Sequence, residues 1–132
     1  MLLTKQILDQ VSSQAKASPR LRMNYNLHNS FQDTVQRMFN AIEPGSVIPI
    51  ARHPQSSETL ILLRGKLRVN IYSDDKQLLE SVVLDHSTPN IGYHIPMGTW
   101  HCVESLESGT ILFETREGPY APVTPEDIMT ID

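Results

Sequence analysis

Thr59-Leu60-Ile61-Leu62-Leu63-Arg64-Gly65-Lys66-Leu67-Arg68-Val69-Asn70-Ile71 reads as two consecutive strands that meet at Arg64-Gly65. The first five residues are an almost unbroken apolar run, as expected of a strand buried on both faces. After the glycine, Leu67, Val69 and Ile71 alternate with Lys66, Arg68 and Asn70, the period-2 signature of a strand with one polar face. Ser73-Asp74-Asp75-Lys76 turns the chain, and Leu79 to Leu84 returns it. Farther on, Ile91 to Ile95, Thr99 to Glu104 and Thr110 to Thr115 are short strands, with polar or Gly- and Pro-containing connections between them. Many short strands at regular spacing point to an all-β sandwich or barrel.

Upstream the pattern differs. Leu3, Ile7, Val11 and Ala15 recur every four residues, which predicts an amphipathic helix from Thr4 to about Lys16, N-capped by Thr4 and stopped near Ser18-Pro19. Arg22, Asn24, Asn26 and His28 then alternate with Met23, Tyr25 and Leu27, a strand with one polar face. Val35 to Ile42 fits either a helix opened by Asp33 and Gln36 or a buried strand ending at Glu43-Pro44-Gly45. The tail from Gly118 carries Pro119, Pro122 and Pro125, and is expected along the surface.

Composition narrows the function classes. The 132 residues, 39% hydrophobic and 20% charged, suit one soluble globular domain. A net charge of −4 gives no reason to expect nucleic acid as a partner. No apolar stretch reaches the roughly 20 residues that span a bilayer, and no signal-peptide core follows Met1. Cys102 is the only cysteine, so no intrachain disulfide can form and a cytoplasmic location is expected.

Two segments bracket the central strands with metal-ligating side chains: His53-Pro54-Gln55-Ser56-Ser57-Glu58 and Pro96-Met97-Gly98-Thr99-Trp100-His101. Two imidazoles and one carboxylate suit Fe, Mn, Ni or Zn and leave coordination positions open. The Pro54 break lets Glu58 face the same way as His53, which an uninterrupted strand would not allow at a spacing of five. A two-residue hairpin loop at Met97-Gly98 would set His94 opposite His101, making His94 a candidate fourth ligand. Asn24, Asn26, His28 and Arg37, with Arg22, are candidates for holding a small polar ligand. Trp100 and Cys102 alternate away from His101, and Tyr120 is read as packing the tail.

Gly45, His53, Glu58 and Gly65, followed by Gly92, Pro96, Gly98 and His101, resemble the two motifs of the cupin superfamily. Ser18-Pro-Arg-Leu-Arg, Asn24-Tyr-Asn-Leu-His28, Val35-Gln-Arg-Met, Pro96-Met-Gly-Thr-Trp-His101 and Glu117-Gly-Pro-Tyr120 are similar to the WbuC family of small cupin-fold metalloproteins. The resemblance implies a jelly-roll barrel over residues 21–132 with a short N-terminal helix, residues 1–20, packed outside it. It favours a strand for Val35 to Ile42. It implies metal-ligand roles for His53, Glu58 and His101 alone, because the family's His-Arg-His is Ala51-Arg52-His53 here. It also implies a sugar or nucleotide-sugar substrate in bacterial O-antigen or surface-polysaccharide metabolism. A metal-dependent enzyme, a non-catalytic binding cupin with a degenerate metal site, and a structural or regulatory dimer remain the three function classes. A homodimer is expected, since Thr59 to Leu63 is apolar on both sides.

Overall fold

A computed structural model describes residues 1–131. Its helix, α1, spans Lys5–Ala17 and opens where the Thr4 hydroxyl accepts a hydrogen bond from the Ile7 N–H at 3.4 Å. Ser18, extended ahead of Pro19, ends it, as the residue before a proline is driven out of the helical region. Val11 and Ala15 are fully buried against Phe39, Ala41 and Ile111. Burying the Val11 side chain alone contributes about 1.5–3 kcal/mol.

The strands are β1 (Arg22–Asn26), β2 (Val35–Ile42), β3 (Ile50–Ala51), β4 (Glu58–Arg64), β5 (Lys66–Tyr72), β6 (Leu78–Asp85), β7 (Gly92–Ile95), β8 (Trp100–Ser105), β9 (Thr110–Glu117) and β10 (Ile128–Met129). They form two five-stranded antiparallel sheets, ordered β1-β2-β9-β4-β7 and β10-β3-β8-β5-β6. Val35 to Ile42 is thus a strand, central enough to pair with both β1 and β9.

Period-2 alternation divides the buried apolar residues of the first sheet between two cores. Phe39, Ala41, Ile111 and Phe113 face α1, together with Met23, Tyr25 and Leu63. Ile42, Leu60, Leu62 and Leu112 face the second sheet, where they meet Leu67, Val69, Ile71 and Leu84. The apolar character of Thr59 to Leu63 on both sides is therefore accounted for largely within one chain, with Ile61 left exposed.

One expected register is corrected. β7 and β8 do not form a hairpin with each other. The Pro96-Met97-Gly98 corner carries the chain from the first sheet to the second, so β7 pairs with β4 while β8 pairs with β3 and β5. Gly98 adopts φ +75 there, with nothing within 4 Å of where a Cβ would stand.

Candidate metal centre

At one end of the barrel the inward-facing registers change from apolar to polar. On β9 the series runs Leu112, Glu114, Arg116; on β4 it runs Leu62, Leu60, Glu58; on β2 Asn40 takes the place next to Ile42. All of these except Leu62, with His53, His101 and Ala51, line a cavity of about 300 Å³.

Three ligating side chains converge in it. One donor atom from each of His53, Glu58 and His101 lies within 4.8 Å of the other two. The Nε2 of His101 is 2.6 Å from Glu58 Oε1, and that of His53 is 3.8 Å from the same oxygen. Both separations are below the ~4.2 Å spanned by two metal–ligand bonds, so one ion can bridge each pair. The donor set therefore fits a divalent transition metal.

Local structure explains how each ligand is held. His53 follows β3 in a loop whose His53 carbonyl accepts from the Gly98 N–H at 2.8 Å, tying it to the corner that precedes His101. Its neighbour Arg52 is fixed by Asp127, through a backbone hydrogen bond at 3.0 Å and a guanidinium–carboxylate contact at 2.8 Å. Arg52 also lies 4.5 Å above the ring of buried Trp100. His101 sits 2.9 Å by Nδ1 from the Thr99 carbonyl. An N–H donated there, the usual orienting device for a metal-binding imidazole, aims Nε2 at the cavity, where it meets Glu58.

The electrostatics follow from burial and these contacts. Burial alone would raise the Glu58 carboxyl, but the hydrogen bond and charge of His101, with Arg116, hold it near 2. Burial would lower His101, and Glu58 outweighs it and raises the imidazole. Burial first, then the Arg116 charge, bring His53 down to about 4, leaving its ring neutral at pH 7. Glu114, buried beside this group, is pushed up to about 8 by burial and by the Glu58 charge.

Glu114 thus binds a proton in the folded chain that the unfolded chain releases near its ordinary value of 4.5. Its contribution to stability is complete below that value and is lost as pH rises toward 8. In Glu114→Gln that loss is absent. Denaturant unfolding with chelator present should show the variant gaining on the wild type between pH 5 and 8. A difference that stays constant with pH would show Glu114 to be ionised when folded.

The remaining candidates divide. Asn24 lines the cavity, as does Arg22, but Asn26, His28 and Arg37 are not among its lining residues. His28 is buried elsewhere, with Nδ1 3.1 Å from the N–H of Arg37, whose side chain is exposed. The polar face of β1 reaches the cavity only over its first residues, because beyond Asn26 the chain leaves the sheet. His94 is corrected as a fourth ligand: it is exposed on β7, opposite Thr59, and its Nδ1 is 2.9 Å from the Thr59 hydroxyl. Ala51, not His94, is the cross-strand partner of His101. Cys102 is half-buried, 4.0 Å from the Tyr72 hydroxyl, and is not part of the ligand cluster. Tyr120 packs its ring 4.9 Å from Phe31.

Glu114 and Arg116 escaped the sequence reading. Their signal was present in β9, as charged residues at positions 114 and 116 that continue the inward register of Leu112.

Two antiparallel five-stranded sheets closing over a His-Glu-His cluster define a cupin jelly roll. Residues 3–84 match the family described as a domain of unknown function, DUF6016, and the chain belongs to that family. Among solved structures, TT1209 from Thermus thermophilus is similar with a TM-score of 0.61 and 17% identity, over 88% of this chain and 95% of that one. KdgF from Halomonas sp. gives 0.60 and 14%, over 79% and 84%. The cupin domain of Cnp3 from Schizosaccharomyces pombe gives 0.58 and 11%, over 73% of this chain and 64% of that one. This chain therefore spans less than two thirds of the Cnp3 structure. At these identities the likeness is one of fold. No curated protein sequence matches the chain. No helix is long and apolar enough to cross a membrane among the described residues.

Proposed function

We propose that this protein is a metal-binding cupin in which His53, Glu58 and His101 hold one Fe, Mn, Ni or Zn ion, and that it acts as a metal-dependent enzyme on a small polar substrate. The convergence of the three donors in a cavity of about 300 Å³ carries the reading. A metal held there supplies Lewis-acid polarisation of a substrate oxygen. The chain supplies the rest: Asn24 and Arg22 on the cavity wall to orient the substrate, apolar Leu60 and Leu112 to limit water, and Glu114 as a neutral carboxyl able to donate a hydrogen bond. The resemblance to the WbuC family supports a sugar or nucleotide-sugar in surface-polysaccharide metabolism, a cytoplasmic location, and a single barrel domain over residues 21–132 with the helix of residues 1–20 against it. A homodimer belongs to the same proposal, with Leu78 and Leu79 on edge strand β6 as exposed apolar contacts; sedimentation at high concentration tests it.

The second reading, a non-catalytic cupin binding a sugar or small anionic metabolite, is favoured by Ala51 and by the guanidinium placed against His53. Ala51 separates the two. Because Ala51 lines the cavity directly across from His101, Ala51→His should place an imidazole beside the existing ligands. Calorimetric titration with Ni or Zn should then show affinity rising by at least the roughly 10–100-fold that even outer-shell partners are worth. Tight uptake by the wild type, improved in the variant, supports the metalloenzyme. Uptake in the variant alone supports the degenerate binding site.

A further inference from the structure

Arg116 occupies a place that the metal reading alone does not explain. It stands at the boundary of two cavities, lining both the inner 300 Å³ chamber and a second cleft of about 210 Å³ beneath the C-terminal tail, walled by Gln55, Ser56, Pro119 and Tyr120. Its side chain is half-buried, and its Nη1 lies 2.8 Å from His53 Nε2 and 3.3 Å from Nδ1. Among the described residues it makes no ion pair. Glu58, its cross-strand partner, directs Oε1 to His101 instead.

A guanidinium carries five N–H donors in a planar fork whose geometry matches a carboxylate or phosphate. Here that fork meets one neutral acceptor ring, at the meeting point of two cavities. Glu58 supplies opposing charge nearby but no ion-pair contact, so an anionic ligand adds the direct partner that the fork lacks. The contact with His53 has a second consequence. Nη1 lies within 3.3 Å of both ring nitrogens, so the guanidinium rests against the imidazole and its positive charge opposes a metal cation bound to the same ring. An anion on Arg116 offsets that charge and helps the metal to bind, and the charge of the metal in turn helps the anion. Linkage requires the two effects to be equal.

We propose that Arg116 is the receptor for the carboxylate of a small anionic substrate, and that carboxylate and metal bind the site cooperatively because the carboxylate offsets the positive charge that guanidinium and metal together place beside His53. The cooperative part rests on the metal reading above; the carboxylate receptor does not. A singly charged carboxylate is preferred over a doubly charged phosphate because Glu58, the cross-strand neighbour, repels the larger charge more strongly.

Two titrations test this on the full chain. In the first, with chelator present, acetate and inorganic phosphate are added to the wild type, Arg116→Gln and Arg116→Lys, each shown to be folded by circular dichroism. Acetate should bind the wild type and bind Arg116→Gln at least about 10-fold more weakly; Arg116→Lys should recover only part of the loss, since an ammonium lacks the fork. Equal acetate binding in wild type and Arg116→Gln overturns the receptor assignment, as does absence of acetate binding to the wild type. Tighter binding of phosphate overturns the carboxylate preference. In the second, Ni affinity is measured with and without saturating acetate. Acetate should tighten Ni binding by about 5-fold or more in the wild type, within the usual range of coupling between sites. Arg116→Gln should bind Ni at least as well as the wild type without acetate and show no acetate effect. The same acetate effect in both proteins overturns the coupling. Acetate binding without any Ni uptake by the wild type overturns the coupling and the metal reading together, while the receptor assignment stands.

Discussion

Changing His101 to alanine is expected to abolish tight metal uptake, lowering affinity by more than about 100-fold, the upper end of what the loss of an outer-shell partner costs. The effect is large because His101 is the best-organised of the three ligands. Its Nδ1 is fixed on the Thr99 carbonyl at 2.9 Å and its Nε2 stands 2.6 Å from Glu58. Removing it leaves one imidazole and one carboxylate, with Ala51 opposite offering nothing in its place. His94→Ala, made in parallel, should leave metal affinity unchanged, because His94 lies on the outer side of β7 against Thr59. Elemental analysis after dialysis against Ni or Zn reads both. Equal losses in the two variants would mean that the ligand set is misassigned.

The second large effect is on stability. Gly65 connects β4 to β5 with φ +82, and a Cβ built there would meet the Thr110 side chain and lie 2.6 Å from Thr110 Cα. Thr110 is fully buried, and its hydroxyl accepts from the Lys66 N–H at 3.2 Å and donates to the Glu107 carbonyl at 2.7 Å. Gly65→Ala should therefore destabilise by roughly 2–5 kcal/mol, combining about 1–2 kcal/mol for a left-handed alanine with about 1–3 kcal/mol for overpacking. Gly98→Ala is the control. It shares the positive φ but has open space around it, so only the first contribution, about 1–2 kcal/mol, applies. Denaturant unfolding curves that place the two variants together would show that the close approach of β4–β5 to Thr110 is not as described.

What was legible in the chain was local. The four-residue recurrence from Leu3 to Ala15 produced a helix, and the alternation of Leu67, Val69 and Ile71 produced β5, because periodicity is imposed by the nearest core face. His53, Glu58 and His101 were legible as ligand types flanked by turn-forming proline and glycine, and they do converge. The hairpin at Pro96-Met97-Gly98 was not legible correctly. A tight turn between two strands looks the same in sequence whether the second strand pairs with the first or crosses to the facing sheet. That choice is made by β3, β4 and β5, which lie far away in the chain. The His94 assignment failed with it. Asn26 and His28 were placed on the same face as Asn24, but β1 ends at Asn26 and the cavity is left behind. Glu114 and Arg116 were overlooked for the opposite reason: their register was readable, but nothing in β9 itself announces that its inner face opens into a cavity.

The central claim is that one metal ion is shared by His53, Glu58 and His101. An anomalous-difference map from crystals of the protein loaded with Ni or Zn, recorded at the metal's absorption edge, tests it most directly. The account predicts one peak in the cavity, about 2.0–2.2 Å from an imidazole nitrogen of His53, a carboxylate oxygen of Glu58 and the Nε2 of His101. A cavity without such a peak, or a peak bound by other side chains while these three point elsewhere, would contradict it.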